Sequence, residues 1–124
     1  MKRTIEEISP DFYQWPERWM GVPPDIEYGE RLLTIFAPFV ENLITKMLAK
    51  KTLERHIDNL WLLGGELIRL INQDEDSRDM EPLELIMENI RLDGGPYCRH
   101  LQTENEIKSF DSTCGKLYKY LKNE

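Results

Sequence analysis

The side chains best suited to nucleophilic or metal chemistry in this sequence are Cys98, Cys114, His56 and His100. A cysteine nucleophile needs a base beside it and a third group that orients the base. Cys98 and His100 lie two residues apart, a closeness in the chain that does not by itself make such a pair. By residue type the same four would suit a tetrahedral zinc site, yet strong zinc signatures come as close pairs such as Cys-x-x-Cys. Here one Cys-x-His would have to recruit residues far along the chain. Cys114 falls on an apolar helical face, where an inert, buried thiol is expected. Carboxylates offer less. Glu66 and Arg69 are spaced as a helix-surface ion pair, and Glu84 and Glu88 share a solvated face. Gly94-Gly95 lacks the preceding strand and the lysine that a phosphate loop requires. No catalytic constellation, metal site or cofactor is expected, and the sequence points away from an enzyme.

Two features remain that could recognise a partner. Lys46, Lys50, Lys51, Arg55 and His56 form a basic corner with only Glu54 opposing them, and Lys108, Lys116, Lys119 and Lys122 form a second basic set. Cations near helix ends can hold phosphates, which makes Lys50, Lys51 and Arg55 candidate phosphate contacts. Solvated structural lysines and an acidic protein partner are the other readings. The second feature is aromatic. Residues 1–25 interleave Pro10, Pro16, Pro23 and Pro24 with Phe12, Tyr13, Trp15, Trp19 and Met20. Proline at that density blocks a long helix, whereas large rings are costly to leave in water. An irregular arm follows, lying on the chain's own helices, exchanged in a homodimer, or docked on a protein partner. Gly64 and Gly65 interrupt a helical stripe and cost roughly 0.5–1 kcal/mol each against alanine. Tight packing or a partner-facing groove would offset that cost, and Trp15, Trp19, Gly64 and Gly65 form the candidate partner interface.

These residues need helices to position them. Asp25 is placed to cap a helix whose stripe runs Tyr28, Leu32, Ile35, Phe36, Phe39, Leu43, Ile44 and Met47. Pro38 inside it predicts a kink or two collinear segments. Thr52 is the expected N-cap of a second helix, with Leu53, Ile57, Leu60, Trp61, Gly64, Leu67, Ile68 and Ile71 on one face. Residues 73–79 read as a solvated linker. A third helix opens at Pro82, buries Leu83, Ile86, Met87 and Ile90, and ends where Gly94 and Gly95 permit left-handed backbone. The fourth starts at a capping box, Thr103 with Glu106, and buries Ile107, Phe110, Cys114, Leu117, Tyr118 and Leu121. Nothing alternates with period two. The expected fold is all-α: a single domain with residues 26–124 as a bundle of about four main helices and residues 1–25 as the arm.

The composition agrees with one core, since 124 residues with 40% apolar and 31% charged side chains can bury a core without a disulfide or metal. A net charge of −7 repels polyanions at long range. Acids in Met1-Lys2-Arg3-Thr4-Ile5-Glu6-Glu7 occupy the place of a signal peptide's apolar segment, and no run approaches the roughly 18 apolar residues of a membrane span. A cytoplasmic, reduced setting without membrane attachment is the expectation.

Lys51-Thr52-Leu53-Glu54-Arg55-His56-Ile57-Asp58-Asn59-Leu60-Trp61 resembles the start of the second helix in the core-binding domain of tyrosine recombinases. Thr52, His56 and Leu60 carry the likeness, which extends at most over residues 31–71. It implies a helical module gripping the DNA backbone through Lys50, Lys51 and Arg55. No catalytic domain follows, so no catalytic residue transfers. Residues 60–69, with Ser109-Phe110-Asp111-Ser112-Thr113-Cys114, are similar to small bacterial helical proteins without a known activity. The leading expectation is a non-enzymatic helical protein–protein interaction or regulatory module. The alternative is a DNA-associated accessory protein linked to a mobile element.

Overall fold

The computed structural model describes residues 3–122, and these form seven α-helices. They are α1 (Ile5–Ile8), α2 (Trp15–Trp19), α3 (Asp25–Thr45), α4 (Lys50–Gln73), α5 (Glu75–Asp79), α6 (Pro82–Asn89) and α7 (Glu104–Leu121). A 3-10 turn at Phe12–Gln14 joins the first two. No strand occurs among the described residues; Arg91 and Gly94 form one isolated bridge. The protein is an all-α bundle whose main helices are α3, α4, α6 and α7.

The long apolar stripes explain the arrangement. Leu32, Phe36, Phe39 and Leu43 of α3 and Leu53, Leu60, Leu63 and Leu67 of α4 are fully shielded from solvent. At about 25 cal/mol per Å² of apolar surface removed from water, this shared core is the main favourable term. Helix α4 lies at its centre, packed against α3 on one side and α7 on another, while α6 packs on α3. Tyr28 reinforces that last contact by donating to the Met80 carbonyl at 3.0 Å. Phe39 and the Tyr120 ring, 5.5 Å apart, close α3 against α7.

Several local expectations are corrected. The segment before residue 25 is not irregular: Thr4 and Glu7 make a reciprocal capping box for α1, and Pro16 sits in the first turn of α2, where a missing N–H costs nothing. Pro38 lies within one continuous helix rather than between two. Its exposed position lets water satisfy the carbonyl it leaves free. Helix α4 begins at Lys50 after Ala49, so Thr52 is inside it and not its cap. The charged stretch 73–79 contains α5, which Asp74 caps through the Asp76 N–H at 3.1 Å. Leu83 and Ile107 are exposed, and Leu85 and Thr113 take the buried places. Gly94 and Gly95 do not adopt left-handed backbone, for no glycine among the described residues has positive φ. They are small because Asp111 and Cys114 of α7 press against them. The left-handed residue is Met47 at φ 57°, in the turn between α3 and α4.

The aromatic segment and the glycine face meet each other. A side chain at Gly64 would collide with the six-membered ring of Trp19, and the Trp19 indole N–H donates to the Trp61 carbonyl at 3.0 Å. Gly65 is different, because a Cβ there would lie 3.6 Å from Trp19, an ordinary contact. The two glycines therefore predict opposite results on mutation. Gly64→Ala should lower stability by about 1–3 kcal/mol through overpacking. Gly65→Ala should raise it by about 0.5–1 kcal/mol through helix propensity. Urea denaturation of both variants checks this, and equal responses would refute the ring-into-glycine contact.

Candidate functional site

Trp15, Trp19 and Gly64 are buried and pack on one another within the chain. Trp15, Trp19 and Trp61 form a cluster, with Trp19 stacked on Trp61 at 5.8 Å and 27° and Trp15 at 5.6 Å from Trp61. Trp61 is the partly exposed member. With Gly65 it borders a groove of about 360 Å³ that runs along α4, close to the lower size of ligand-holding clefts. Leu62 and Ile68 add apolar lining, and Arg99 and His100, from the turn before α7, form the facing wall. The groove was legible in part: Gly65 and Trp19 belong to it, whereas Arg99 carried no periodicity that could place it.

Glu66 shapes the groove from within. It is buried, and Arg69 grips one of its oxygens through Nη2 at 2.8 Å and Nε at 3.1 Å. The pair was expected on the surface; burial makes it a fixed, charge-assisted contact. Arg69 is thus held in place with its charge partly answered. Arg99 has no carboxylate partner within ion-pair distance among the described residues.

At one end of the groove lies a buried carboxylate that sequence reading treated only as a helix cap. Asp25 is fully shielded. One oxygen accepts from the Gly21 N–H at 2.8 Å, the Val22 N–H at 3.0 Å and Asn72 Nδ2 at 2.7 Å. The other accepts from Arg78 at 2.9 Å. Burial pushes its carboxyl upward, but these donors outweigh burial and hold it below the ordinary carboxylate value.

The residues singled out for nucleophilic or metal chemistry lie in unhelpful surroundings. Burial, then Asp111 and Cys98, pushes the Cys114 thiol up to about 12. Burial also raises that of Cys98. Both favour the thiol form, which is neither nucleophile nor metal ligand. Among the described residues no group of three or more His, Cys, Asp or Glu side chains could hold a metal ion.

His56 does not belong to the basic corner. It is fully buried, with Nδ1 2.7 Å from the Thr113 hydroxyl. That hydroxyl accepts from Asn59 at 2.9 Å and donates back to the Ser109 carbonyl at 3.3 Å. The arrangement assigns the ring proton to Nδ1, leaving Nε2 as an unpartnered lone pair. Protonating Nε2 would bury an unsatisfied donor and a charge. Burial first, then Arg55 and Lys116, lowers the His56 value to about 4.

Lys50, Lys51 and Arg55 are exposed. Their setting is less basic than the sequence implied, since the cavity lined by Lys51 and Arg55 also receives Glu54, Asp58 and Glu106. Burial, and then the neighbouring charges of Glu54 and Asp11, raises the Asp58 value. Thr52, His56 and Leu60, which carry the recombinase likeness, lie on α4, with His56 and Leu60 in the core. No family model, curated protein or solved structure matches the chain. No helix is long and apolar enough to cross a membrane, among the described residues.

The histidine predicts an acid response. Its folded value lies below the unfolded 6.5, so the unfolded chain binds more protons between those two values and stability falls as pH drops through them. The loss should reach about 2 kcal/mol by pH 5. Asp25, also lowered, adds loss in the same direction at more acidic pH. Urea midpoints from pH 7 to pH 5 should fall for the wild type and stay flatter for His56→Gln. Identical slopes would exclude His56 as the cause.

Proposed function

We propose that this protein is a non-enzymatic helical interaction module that receives a protein partner in the groove along α4. The observation that carries the reading is the convergence of the half-exposed Trp61 indole, the bare backbone of Gly65 and the unanswered Arg99 guanidinium on one concave surface. Trp and Arg are the residue types that most often dominate binding energy at interfaces. Gly65 lets a partner's chain approach the helix closely. Arg69 presents a positioned cation beside it, so the matching segment carries an apolar side chain for Trp61 and a carboxylate for Arg99. The partner is a different protein or a second copy of this chain, forming a homodimer.

Arg99→Glu is the deciding variant, because Arg99 is exposed and makes none of the internal ion pairs. It should weaken partner binding about thirtyfold while leaving the melting temperature unchanged. Trp61→Ala should weaken binding too, but with a loss of stability from the broken indole stack. Affinity purification from the native host, with sedimentation of the isolated protein to reveal a dimer, measures both. A partner or dimer retained at full strength by Arg99→Glu would overturn this reading.

A further inference from the structure

We propose that a second recess, between the end of α3 and the outer face of α7, is a binding site for a small, multiply charged phosphate compound. Lys46, Lys116 and Lys119 line it together with Asn42 and Tyr120, around a cavity of about 430 Å³. Lys46 follows the last turn of α3, and Lys116 and Lys119 stand one turn apart on α7. Residues 70 and more apart in the chain therefore contribute three ammonium groups to one concavity.

The absence of counter-charge is what singles this recess out. The α4 groove carries Glu66, the cavity beside Gly94 carries Glu88, Asp93 and Asp111, and the cavity beside Arg55 carries Glu54, Asp58 and Glu106. Among the described residues the lysine recess has no carboxylate in its lining. Lys46, Lys116 and Lys119 make no ion pair among the described residues. The chain as a whole carries a net charge of −7 with 23 acidic residues, so this lining runs against its overall sign. Lys46 and Lys119 gain a little from the helix C-termini at which they stand, but three like charges gathered there repel one another, whereas an anion between them would be held by several charge-assisted hydrogen bonds.

The surroundings fit a compact phosphate. Asn42 adds an uncharged donor, and the Tyr120 ring, braced on Phe39 at 5.5 Å, gives one wall a fixed aromatic edge. The approach to the recess is itself constrained. Lys46 donates its N–H to the Leu43 carbonyl at 3.1 Å, and the next residue, Met47, takes a left-handed conformation usual for glycine. That conformation turns the chain sharply where Lys46 enters the cavity wall. Lys50 and Lys51, beyond the turn, do not line the recess.

Isothermal titration of the full chain with pyrophosphate at low ionic strength tests the site. The wild type should bind one equivalent saturably, and Lys116→Gln/Lys119→Gln should bind at least about tenfold more weakly. The control Lys50→Gln/Lys51→Gln makes the same change in net charge outside the recess and should bind as the wild type does. Without ligand, the Lys116/Lys119 variant should melt at the same or a higher temperature, since repulsion has been relieved, and this also shows that it folds. No saturation in the wild type, or equal weakening in both double variants, would overturn the proposal. So would duplex DNA competing for the recess more strongly than pyrophosphate. Neither result bears on the α4 groove, whose residues are untouched by these variants.

Discussion

The docking of the N-terminal segment and the shape of the groove depend on one contact, the indole of Trp19 laid directly on the backbone of α4 at Gly64. A helix 24 residues long that carries adjacent glycines at its middle gives up about 2 kcal/mol of helix propensity. The ring that occupies the notch removes 150–250 Å² from water, worth roughly 4–6 kcal/mol at 25 cal/mol per Å². The ring therefore outweighs the glycines, and only if nothing stands between it and the helix. Once Trp19 is seated, its N–H reaches the Trp61 carbonyl, Trp61 stacks beside it and Trp15 covers both. The N-terminal segment becomes part of the core, and Trp61 is left with one face on the cluster and the other on the groove. The same contact that docks the N-terminal segment thus sets the position of the proposed binding surface.

Two buried titratable groups show how differently polarity can be accommodated in this core. Asp25 stays charged because two backbone N–H groups, an amide and a guanidinium surround it. Its donors come from the turn before α3, from the end of α4 and from α5, so one carboxylate ties three separate stretches of chain. His56 stays neutral because burial first, and then the nearby Arg55 and Lys116, disfavour a charge on a ring with one partner. A carboxylate accepts from several donors at once, whereas a neutral imidazole needs a single bond to fix its tautomer. Both arrangements weaken on acidification, one by losing its charge and the other by gaining one.

Most of the helical framework could be read from apolar spacing, because α3, α4 and α7 are long enough for a stripe to repeat several times. Leu32, Phe36, Phe39 and Leu43, or Leu53, Ile57, Leu60 and Leu67, leave little doubt about which face is inward. The capping box of α7 was equally legible, since Thr103 and Glu106 satisfy each other locally. Short elements were not. Helix α6 offers only two turns, so Leu83 and Leu85 compete for the buried side, and tertiary packing chose Leu85. Helix α5 lies in a charged stretch without an apolar face. What holds it is Arg78 reaching Asp25, 53 residues away. The candidate groove was half legible: the glycines marked a close approach, but only the folded chain reveals that Gly64 is filled by Trp19 and Gly65 is left open. The polar trio of His56, Asn59 and Thr113 gave no signal at all, because complementarity across two helices leaves no periodic trace.

The distribution of charge gives the molecule a selectivity that its total charge conceals. At physiological ionic strength fields fade over about 8 Å, so each recess answers mainly to its own lining. A compact anion inside the Lys46, Lys116 and Lys119 recess meets cations only. A long polyanion would contact those lysines and then extend over a surface that is acidic overall, where each further phosphate is repelled. Nucleic acid gains affinity by adding contacts along its length, and this surface withdraws that gain. The corner of Lys50, Lys51 and Arg55 differs, since Glu54, Asp58 and Glu106 share the cavity that Lys51 and Arg55 line and would repel a phosphate there. Three cations therefore make a solvated helix end in one place and the proposed phosphate site in the other.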